Sequence, residues 1–368
     1  MITTAEAQIN QMEFIRYQYL RPGFHAKLWE FEEGSNFDTK RYLQVAAPVT
    51  YSLAVGSRFG IDVIGSPFAI AIESESGGDI SSYKMSDTFV RGSLVLGDDL
   101  ALITLGVGIP SGDASLESDE LAMAALGANR ALNYPVANFG AGPVVALGVS
   151  FAYQVDTWVL GFGGGFALRR EYEAVVGAEQ TDFKPGNELN LTVGAERRFE
   201  FGDGEGQFLA DFIYTNYSED ELQGQPFFEA GDKILLRGQV SLPLPVFNPV
   251  NLSILQRWRL DNRLSDNNAT PGLLEAGGEL ELKAAVYLPA SDAFSLMGLV
   301  QSQIYSDISN GSEGATINGF GGGFVLNISR HFTFDPTFIY LTGTMSAGPN
   351  TEIDITGLEA RGGFAFRF

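Results

Sequence analysis

Alternation of apolar with polar or small residues recurs along most of the chain, and it constrains the fold more than any other feature. In the C-terminal segment Leu358, Ala360 and every second residue onward to Phe368 are apolar or small. Glu359 and Arg361 occupy positions between them. Successive side chains of a β-strand point to opposite faces, so this segment has one apolar and one ionic face. The sequence therefore predicts an all-β fold of amphipathic strands.

The connections between the predicted strands alternate between short and long. The short turns lie at 56–58, 97–99, 154–156, 202–205, 243–249, 289–292 and 329–331. The long, more polar loops lie near 33–39, 74–82, 110–136, 173–186, 216–232, 261–273, 306–315 and 343–352. Seven turns and eight loops separate sixteen strands. An even strand number, with short turns at one end and long loops at the other, is typical of bacterial outer-membrane barrels.

Backbone hydrogen bonding explains why such strands would close into a barrel. In hydrocarbon every N–H and C=O must be paired within the protein, which leaves only helices and closed sheets. The longest uncharged run, residues 131–155, contains two Pro and three Gly and makes a poor helix. We therefore expect a transmembrane antiparallel up-and-down β-barrel of about 16 strands, with 14 as the alternative. A soluble sandwich would have its polar face outermost, and a propeller would show a recurring repeat, which the sequence lacks.

The composition argues against several classes of function. There are 23 Lys and Arg against 45 Asp and Glu, which gives a formal charge of −22, and like charge repels nucleic acid. Cys is absent, so there is no disulfide, thiolate metal site or Cys nucleophile. The two His residues, His25 and His331, lack the context of a catalytic triad. We expect no enzyme, no cofactor and no metal site.

The predicted organisation is one barrel over 23–368, preceded by residues 1–22 as a periplasmic tail or a plug in the lumen. The N-terminus has neither the basic start nor the apolar core of a signal peptide, so we expect the numbering of a mature or trimmed chain. The expected location is the bacterial outer membrane. The expected partners are outer-membrane lipid, lipopolysaccharide, the barrel-assembly machinery and a small hydrophobic solute, with no nucleic acid.

Aromatic residues recur near the predicted strand ends, among them Trp158 and Tyr305, as interfacial girdles require. The chain also ends on an alternating aromatic strand with Phe364, Phe366 and Phe368. This ending resembles the C-terminal signature that the barrel-assembly machinery recognises in outer-membrane proteins. We expect these three Phe residues to serve as that signal.

Two predicted strands carry rows of glycine on their inward face. These glycines are Gly161, Gly163, Gly165, Gly319, Gly321 and Gly323. Rows of glycine weaken a sheet, so their presence in these strands requires a structural or functional explanation. One reason is the close approach of a plug or ligand in the lumen, and the other is strong curvature with tight packing between strands.

Another part of the predicted lumen is ionic. Its inward positions on three neighbouring strands are Lys233, Arg237, Arg257, Arg259, Glu279 and Glu281. Opposite charges on neighbouring strands can form a cross-strand ladder that braces the wall. The alternative is a constriction that contacts an anionic head group.

Three predicted loops are acidic. Residues 113–120, 171–182 and 217–232 hold 13 Asp and Glu and no Lys or Arg. The first loop does not match the oxygen-ligand spacing of an EF-hand. We interpret these loops as solvated, with the possibility that they share divalent cations with anionic lipopolysaccharide.

The stretch from Pro48 to Tyr172 carries short Gly-rich motifs. They are VTYSLAVGSRFGIDV from Val49, SDT from Ser86, GVGIPSG from Gly106 and NFGAGP from Asn138. These motifs resemble outer-membrane proteins associated with aromatic-hydrocarbon degradation, of the phenol meta-pathway type. Those proteins are distantly similar to the outer-membrane fatty-acid and hydrocarbon transporters, which have an N-terminal plug and fourteen strands. The resemblance covers about a third of the chain and implies an outer-membrane barrel that passes apolar molecules.

The function expected from the sequence is passive uptake of small apolar or amphipathic molecules through a narrowed lumen. One alternative is a non-enzymatic structural or assembly-partner barrel with a closed lumen. The other is a water-filled, cation-preferring diffusion porin, which the acidic loops suggest.

Overall fold

The main element of the structure is a closed barrel of sixteen strands. The computed structural model describes residues 18–32, 39–75, 77–97, 100–112, 116–117, 120–136, 140–174, 182–202, 204–247, 249–264, 272–274, 277–306, 312–348 and 351–368. The main sheet contains 20 strand segments, and four strands are each interrupted once, which leaves sixteen. Their bounds are β1 Tyr19–Phe31, β2 Thr39–Ala46 continued by Val49–Val55, β3 Phe59–Gly65 continued by Pro67–Ser74, β4 Ile80–Met85 continued by Thr88–Leu96, β5 Ala101–Ile109, β6 Val144–Val155, β7 Trp158–Arg169, β8 Glu188–Phe201, β9 Gly204–Tyr217, β10 Lys233–Leu242, β11 Val250–Arg259, β12 Gly278–Ser291, β13 Phe294–Tyr305, β14 Ser312–Ser329, β15 Phe332–Phe334 continued by Thr337–Gly348, and β16 Thr351–Arg367.

Each strand pairs antiparallel with its neighbours in chain order, and the last strand returns to the first. β1 pairs with β16 from Tyr19↔Arg367 to Phe31↔Ile355, which closes the sheet. The prediction of a closed all-β barrel of sixteen strands is confirmed, and the alternative of fourteen is wrong.

The connections also follow the predicted division between the two ends of the barrel. The seven predicted short turns lie at one end, which we call the turn end, and the other connections lie at the loop end. The last predicted long loop, 343–352, is wrong, because β15 continues to Gly348 and β16 starts at Thr351. Its small and polar residues suggested a loop, but β15 and β16 stay paired as far as Gly348↔Thr351.

The alternation in the sequence separates two faces of the wall. Outward residues such as Leu147, Phe320 and Leu358 are more than half exposed, at 58%, 58% and 56%. Inward Glu196 and Glu359 are buried. An apolar exterior around a polar or small-residue interior is the arrangement of a barrel in lipid. The prediction that Tyr305 belongs to an interfacial girdle is wrong. This side chain points inward beside Glu279 and is 4% exposed.

The first strand begins earlier than predicted. β1 starts at Tyr19, and residues 19–22 pair with β2 and β16, so the predicted boundary after residue 22 moves into the strand. Residues 21–23 are extended within β1, and Gly23 N–H donates to Pro48 O at 2.7 Å. Pro48 lies in the interruption of β2, where its missing N–H leaves no strand pairing unsatisfied. Residues 1–17 lie outside the described residues.

A second, smaller sheet is built from three long loops. Its six segments are Tyr172–Glu173, Asp182–Lys184, Asp220–Leu222, Gln225–Glu229, Asn262–Leu264 and Gly272–Leu274. We call it the loop sheet. It pairs antiparallel in chain order and connects the loops that follow β7, β9 and β11. Parts of the acidic loops are therefore ordered by backbone pairing.

The connection between β5 and β6 contains a short helix, α1, at Glu120–Ala128. Eight of its nine residues are apolar or glycine, and its single charged side chain, Glu120, is at the N-terminus, where the helix dipole favours an acid. Among the described residues, no helix has the length and apolar character needed to span a membrane.

We predict that a charge on the outer face destabilises the barrel in a bilayer and that the same charge inside does not. Leu147→Arg places a cation on the exposed apolar exterior of β6, which is expected to cost about 2–4 kcal/mol of folding free energy near the bilayer centre. Thr192→Arg, on the inward face of β8, is the matched control. Urea titration of the protein folded into vesicles measures both, and equal losses would contradict the assignment of the two faces.

Candidate functional site

A segment of the β5–β6 connection lies inside the barrel, and we call residues 120–136 the inserted segment. Its Met123, Leu132 and Tyr134 are buried in one cluster with inward side chains of β1–β3 and β13–β16. The wall residues of that cluster include Trp29, Phe31, Tyr42, Ala46, Phe68, Ile70, Ile72, Leu299, Ile317, Ile339, Leu341, Ile353 and Ile355. Burial of these apolar side chains holds the segment against one side of the lumen.

Side chains of the wall bind the backbone of this segment. Trp29 Nε1 donates to Leu132 O at 2.9 Å. Gln44 holds both polar groups of one residue: its Nε2 donates to Val136 O at 2.8 Å, and Val136 N–H donates to its Oε1 at 2.8 Å. These groups are buried, where an unmade hydrogen bond costs most. The segment is therefore fixed in position by the wall.

Two tyrosines and a lysine complete this attachment. Tyr42 OH donates to Met123 O at 3.0 Å, and Tyr134 OH donates back to Tyr42 O at 3.1 Å. Burial raises the pKa of Tyr134 well above its usual value, so its hydroxyl remains a neutral donor. Lys27 Nζ donates to Asn133 O at 3.1 Å.

The inserted segment extends between distant parts of the wall. At its start, Glu120 Oε1 lies 2.6 Å from Lys84 Nζ of β4. Further along, Arg130 lies close to the start of β12. A Cβ atom added to Gly277, directly before β12, would lie 3.0 Å from Arg130 Nη2. The segment therefore narrows the lumen near the loop end. Glu120 is also buried, so the interpretation of its loop as solvated is wrong at this residue.

One face of α1 stays exposed. Leu121, at 43%, lies with exposed Ala125 and Ala128 along a single stripe of the helix. All three are apolar. The helix thus covers the wall with Met123 and presents an apolar stripe on its other side.

Two glycines of β7, Gly163 and Gly165, have room for a Cβ atom. A Cβ atom at Gly163 would meet its nearest neighbour, Ser150 Cβ, at 3.4 Å, and one at Gly165 would meet Leu147 O at 3.4 Å. Gly161 lies between Ala152 of β6 and Gly194 of β8 in the register. These residues make the wall of β6–β8 thin, on the side of the lumen away from the cluster around the inserted segment.

The glycines of β14 have a different environment. A Cβ atom at Gly321 would lie 2.3 Å from Phe338 O, and one at Gly323 would lie 2.2 Å from Pro336 O. At Gly319 it would lie 2.7 Å from Gln301 Cγ. At Gly321 and Gly323 the neighbouring backbone approaches too closely for a side chain, and at Gly319 the side chain of Gln301 fills the space. Of the two explanations for glycine rows, tight packing applies here.

The predicted ionic positions separate into paired and isolated groups. Arg257 forms an ion pair with Glu279 on the next strand. The other predicted partners differ: Arg237 Nη2 lies 2.8 Å from Asp211 Oδ2 of β9, and Glu281 binds Lys283 of its own strand at 2.7 Å. Of the predicted cross-strand ion pairs, only Arg257–Glu279 is therefore present. Arg237 pairs with Asp211 of β9 instead, because that carboxylate is closer.

Lys233 and Arg259 form the isolated group. They lie directly opposite each other in the register of β10 and β11, at the loop end. Lys233 Nζ is 6.0 Å and Arg259 Cζ is 5.9 Å from the ring centre of Tyr217. No ion pair is found for either cation among the described residues.

The remaining titratable groups of the lumen show structural pairing. Glu359 lies between His25 at 3.1 Å, Arg361 at 3.2 Å and Lys27 at 3.8 Å. His331 lies in the turn before β15, and its Nδ1 is 3.1 Å from Arg367 O. Within the described part of the chain, no group of three or more His, Asp and Glu side chains is placed to hold a metal ion.

The C-terminal aromatic residues belong to a stacked row at the turn end. Phe364 and Phe334 stack with ring centres 4.6 Å apart, and Phe366 lies 4.8 Å from Phe332. Phe368 is 72% exposed. A role of these residues as an assembly signal stays a prediction.

Solved structures with a similar fold include outer-membrane channels and the translocator domain of an autotransporter. OprB of Pseudomonas putida aligns with a TM-score of 0.50 and 9% identity, over 98% of this chain and 97% of that one. OccK11 (OpdR) of Pseudomonas aeruginosa gives 0.49 and 10%, over 96% of both chains. The monoaromatic hydrocarbon channel CymD gives 0.43 and 8%, over 100% of this chain and 94% of that one. No protein-family model matches the chain, and no curated protein matches its sequence. At this identity the comparison shows the fold alone.

The sequence did not reveal the inserted segment. Two signals were present: α1 follows an acidic stretch with a run of apolar residues, and the inward positions of β1–β3 include Trp29, Tyr42 and Ile70, which are too apolar for a wet lumen. Apolar residues on both faces of a barrel strand indicate that something covers the inner face.

We predict that Gln44→Leu loosens the inserted segment. The substitution leaves Val136 N–H and C=O buried without a partner, which is expected to weaken the attachment by about 2 kcal/mol or more. Hydrogen exchange at residues 131–136 should accelerate, and single-channel recordings should become noisier. Gln154→Leu, at the exposed turn end of β6 where the amide donates to Asp156 O, is the control. Unchanged exchange in Gln44→Leu would contradict the attachment.

We also predict that the two glycine rows respond differently to alanine. Gly321→Ala forces a Cβ atom into Phe338 O and should lower the unfolding free energy by about 1–3 kcal/mol. Gly163→Ala meets only ordinary contacts and should change it by less than about 1 kcal/mol. Urea unfolding of both variants measures the difference. Similar losses would show that close packing is not specific to β14.

Proposed function

We propose that the chain is an outer-membrane channel for passive uptake of small apolar or amphipathic molecules through a narrowed lumen. The coarse part of this proposal, a channel, is supported by a closed barrel whose fold is that of outer-membrane channels. The finer part concerns the solute, and it depends on the lining of the lumen.

The observation that carries the proposal is the inserted segment. It reduces the cross-section and presents the apolar stripe of Leu121, Ala125 and Ala128 instead of charges. Most inward residues of β6 and β7 are small and partly exposed, whereas Leu299, Ile317 and Ile339 of β13–β15 are buried in the cluster with the segment. A passage between an apolar stripe and a thin wall favours small solutes with an apolar body over hydrated sugars.

Reconstitution tests this function directly. Vesicles that contain the protein should take up a small aromatic solute faster than empty vesicles, while swelling in small sugars stays slow. Rapid swelling in sugars would instead favour a wide diffusion porin. A reversal potential that shows strong cation preference in asymmetric salt would favour the cation-preferring alternative.

A closed structural barrel is the second candidate, and the hydrogen bonds that fix the inserted segment favour it. Planar-bilayer recording separates the two. Discrete conductance steps in KCl support the channel, and silence in both KCl and solute-uptake assays supports the closed barrel.

We predict that Leu121→Asn slows the passage of an apolar solute. The change removes the largest apolar side chain of the stripe, so uptake of toluene should fall about two- to fivefold as the apolar contact is lost, with conductance in KCl retained. Leu100→Asn, in the exposed turn before β5, is the matched control. Equal uptake in the variant and the wild type would exclude the stripe from the path.

A further inference from the structure

We propose that Lys233, Arg257 and Arg259 form a subsite for a carboxylate, so that the solute is an amphipathic carboxylate with a small apolar body. This inference rests on the channel proposed above and names the chemistry of what it passes. The subsite lies at the loop end of β10 and β11, on the inner face of the wall.

The first support is the placement of two like charges. Lys233 and Arg259 are directly opposite each other on antiparallel strands and share the inward face. Residues in that relation have Cβ atoms about 5 Å apart, and like charges there destabilise a sheet. A bound anion between them would turn this repulsion into attraction.

The second support is the contrast with the other cations of the same wall. Arg237, Arg257 and Lys283 each have a carboxylate within ion-pair distance. For Lys233 and Arg259 the described residues supply the ring face of Tyr217 instead. An aromatic face attracts a cation but neutralises no charge. Among the described residues of β10–β12, these two adjacent inward cations therefore differ from Arg237, Arg257 and Lys283.

The third support is a pair of buried donors on the same stretch of wall, one on β11 and the other two strands away on β13. Arg257, two residues before Arg259 on the same face, has its Nε–H buried without a hydrogen-bond partner, and so does the hydroxyl of Tyr305. Both residues are opposite Glu279 in the register, one on each side of it. Tyr305 is 4% exposed. Buried donors without acceptors are rare in proteins and indicate a bound water or ligand oxygen.

A carboxylate suits this arrangement better than a phosphate. Its two oxygens match the planar fork of an arginine, and a lysine binds as an added point charge. A single negative charge is also repelled less than a double charge by the acidic loops at the mouth. Tyr217 offers a ring for the apolar body of the solute.

Benzoate is the probe for the test, and benzamide is its uncharged analogue. Equilibrium binding to the detergent-solubilised barrel should show benzoate bound more tightly than benzamide. The double variant Lys233→Gln/Arg259→Gln should bind benzoate about tenfold or more weakly, with benzamide unaffected. The double variant Lys184→Gln/Arg263→Gln removes the same charge from the loop sheet, where each residue has a carboxylate partner, and should bind benzoate like the wild type.

Binding and conductance separate the two proposals. Benzoate binding without any conductance or uptake would reject the channel and retain the subsite. The subsite is rejected if benzoate binds no better than benzamide, if the loop-sheet variant loses as much affinity, or if inorganic phosphate displaces benzoate at lower concentration. Heat-shifted migration on a gel reports folding of each variant. If the double variant does not fold, Lys233→Gln and Arg259→Gln singly should each show part of the loss, and full affinity in both would overturn the inference.

Discussion

The pairing of β1 with β16 is the interaction on which the rest of the structure depends. A sheet with an apolar outer face can lie in hydrocarbon only if no backbone N–H or C=O remains unpaired at an edge. The pairing from Tyr19↔Arg367 to Phe31↔Ile355 removes both edges at once. Closure also fixes the circumference, so any chain that folds inward must share a lumen of set size. The inserted segment fills the side of the lumen next to β1–β3 and β13–β16 and leaves the side of β6–β8 uncovered.

Much of the barrel could be predicted because it depends on local pattern. The alternation of Leu358 and Glu359 assigns each side chain to a face of the sheet without reference to any distant residue. Gly, Pro and Asp likewise mark the turns. The errors occur where local chemistry is ambiguous. Residues 343–352 are small and polar, as in a loop, yet β15 and β16 continue to pair through them as far as Gly348↔Thr351.

The site was less predictable because it depends on contacts between distant residues. Gln44 and Val136 are 92 positions apart, and nothing in either neighbourhood announces their contact. The partner of Arg237 likewise follows from register across strands, which places Asp211 opposite it. The same residue type has different roles in different places: Gly163 has room for a Cβ atom at ordinary contact distance, whereas Gly321 lies too close to a neighbouring backbone for one. Sequence identifies the candidates, and only the pairing of strands tells them apart.

The attachment of the inserted segment has a consequence for how such a barrel could diversify. Four wall side chains donate hydrogen bonds to main-chain carbonyl oxygens of the segment, and every residue has such an oxygen. The donors are Lys27, Trp29, Tyr42 and Gln44. These four hydrogen bonds therefore depend on the backbone path of the segment and not on which side chains it carries at the bonded positions. Side chains on the free face of α1 could be exchanged wholesale while the docking points stay the same. The solute selectivity of such a barrel could then change through substitutions on α1 alone, while the wall and the hydrogen bonds that hold the segment stay the same.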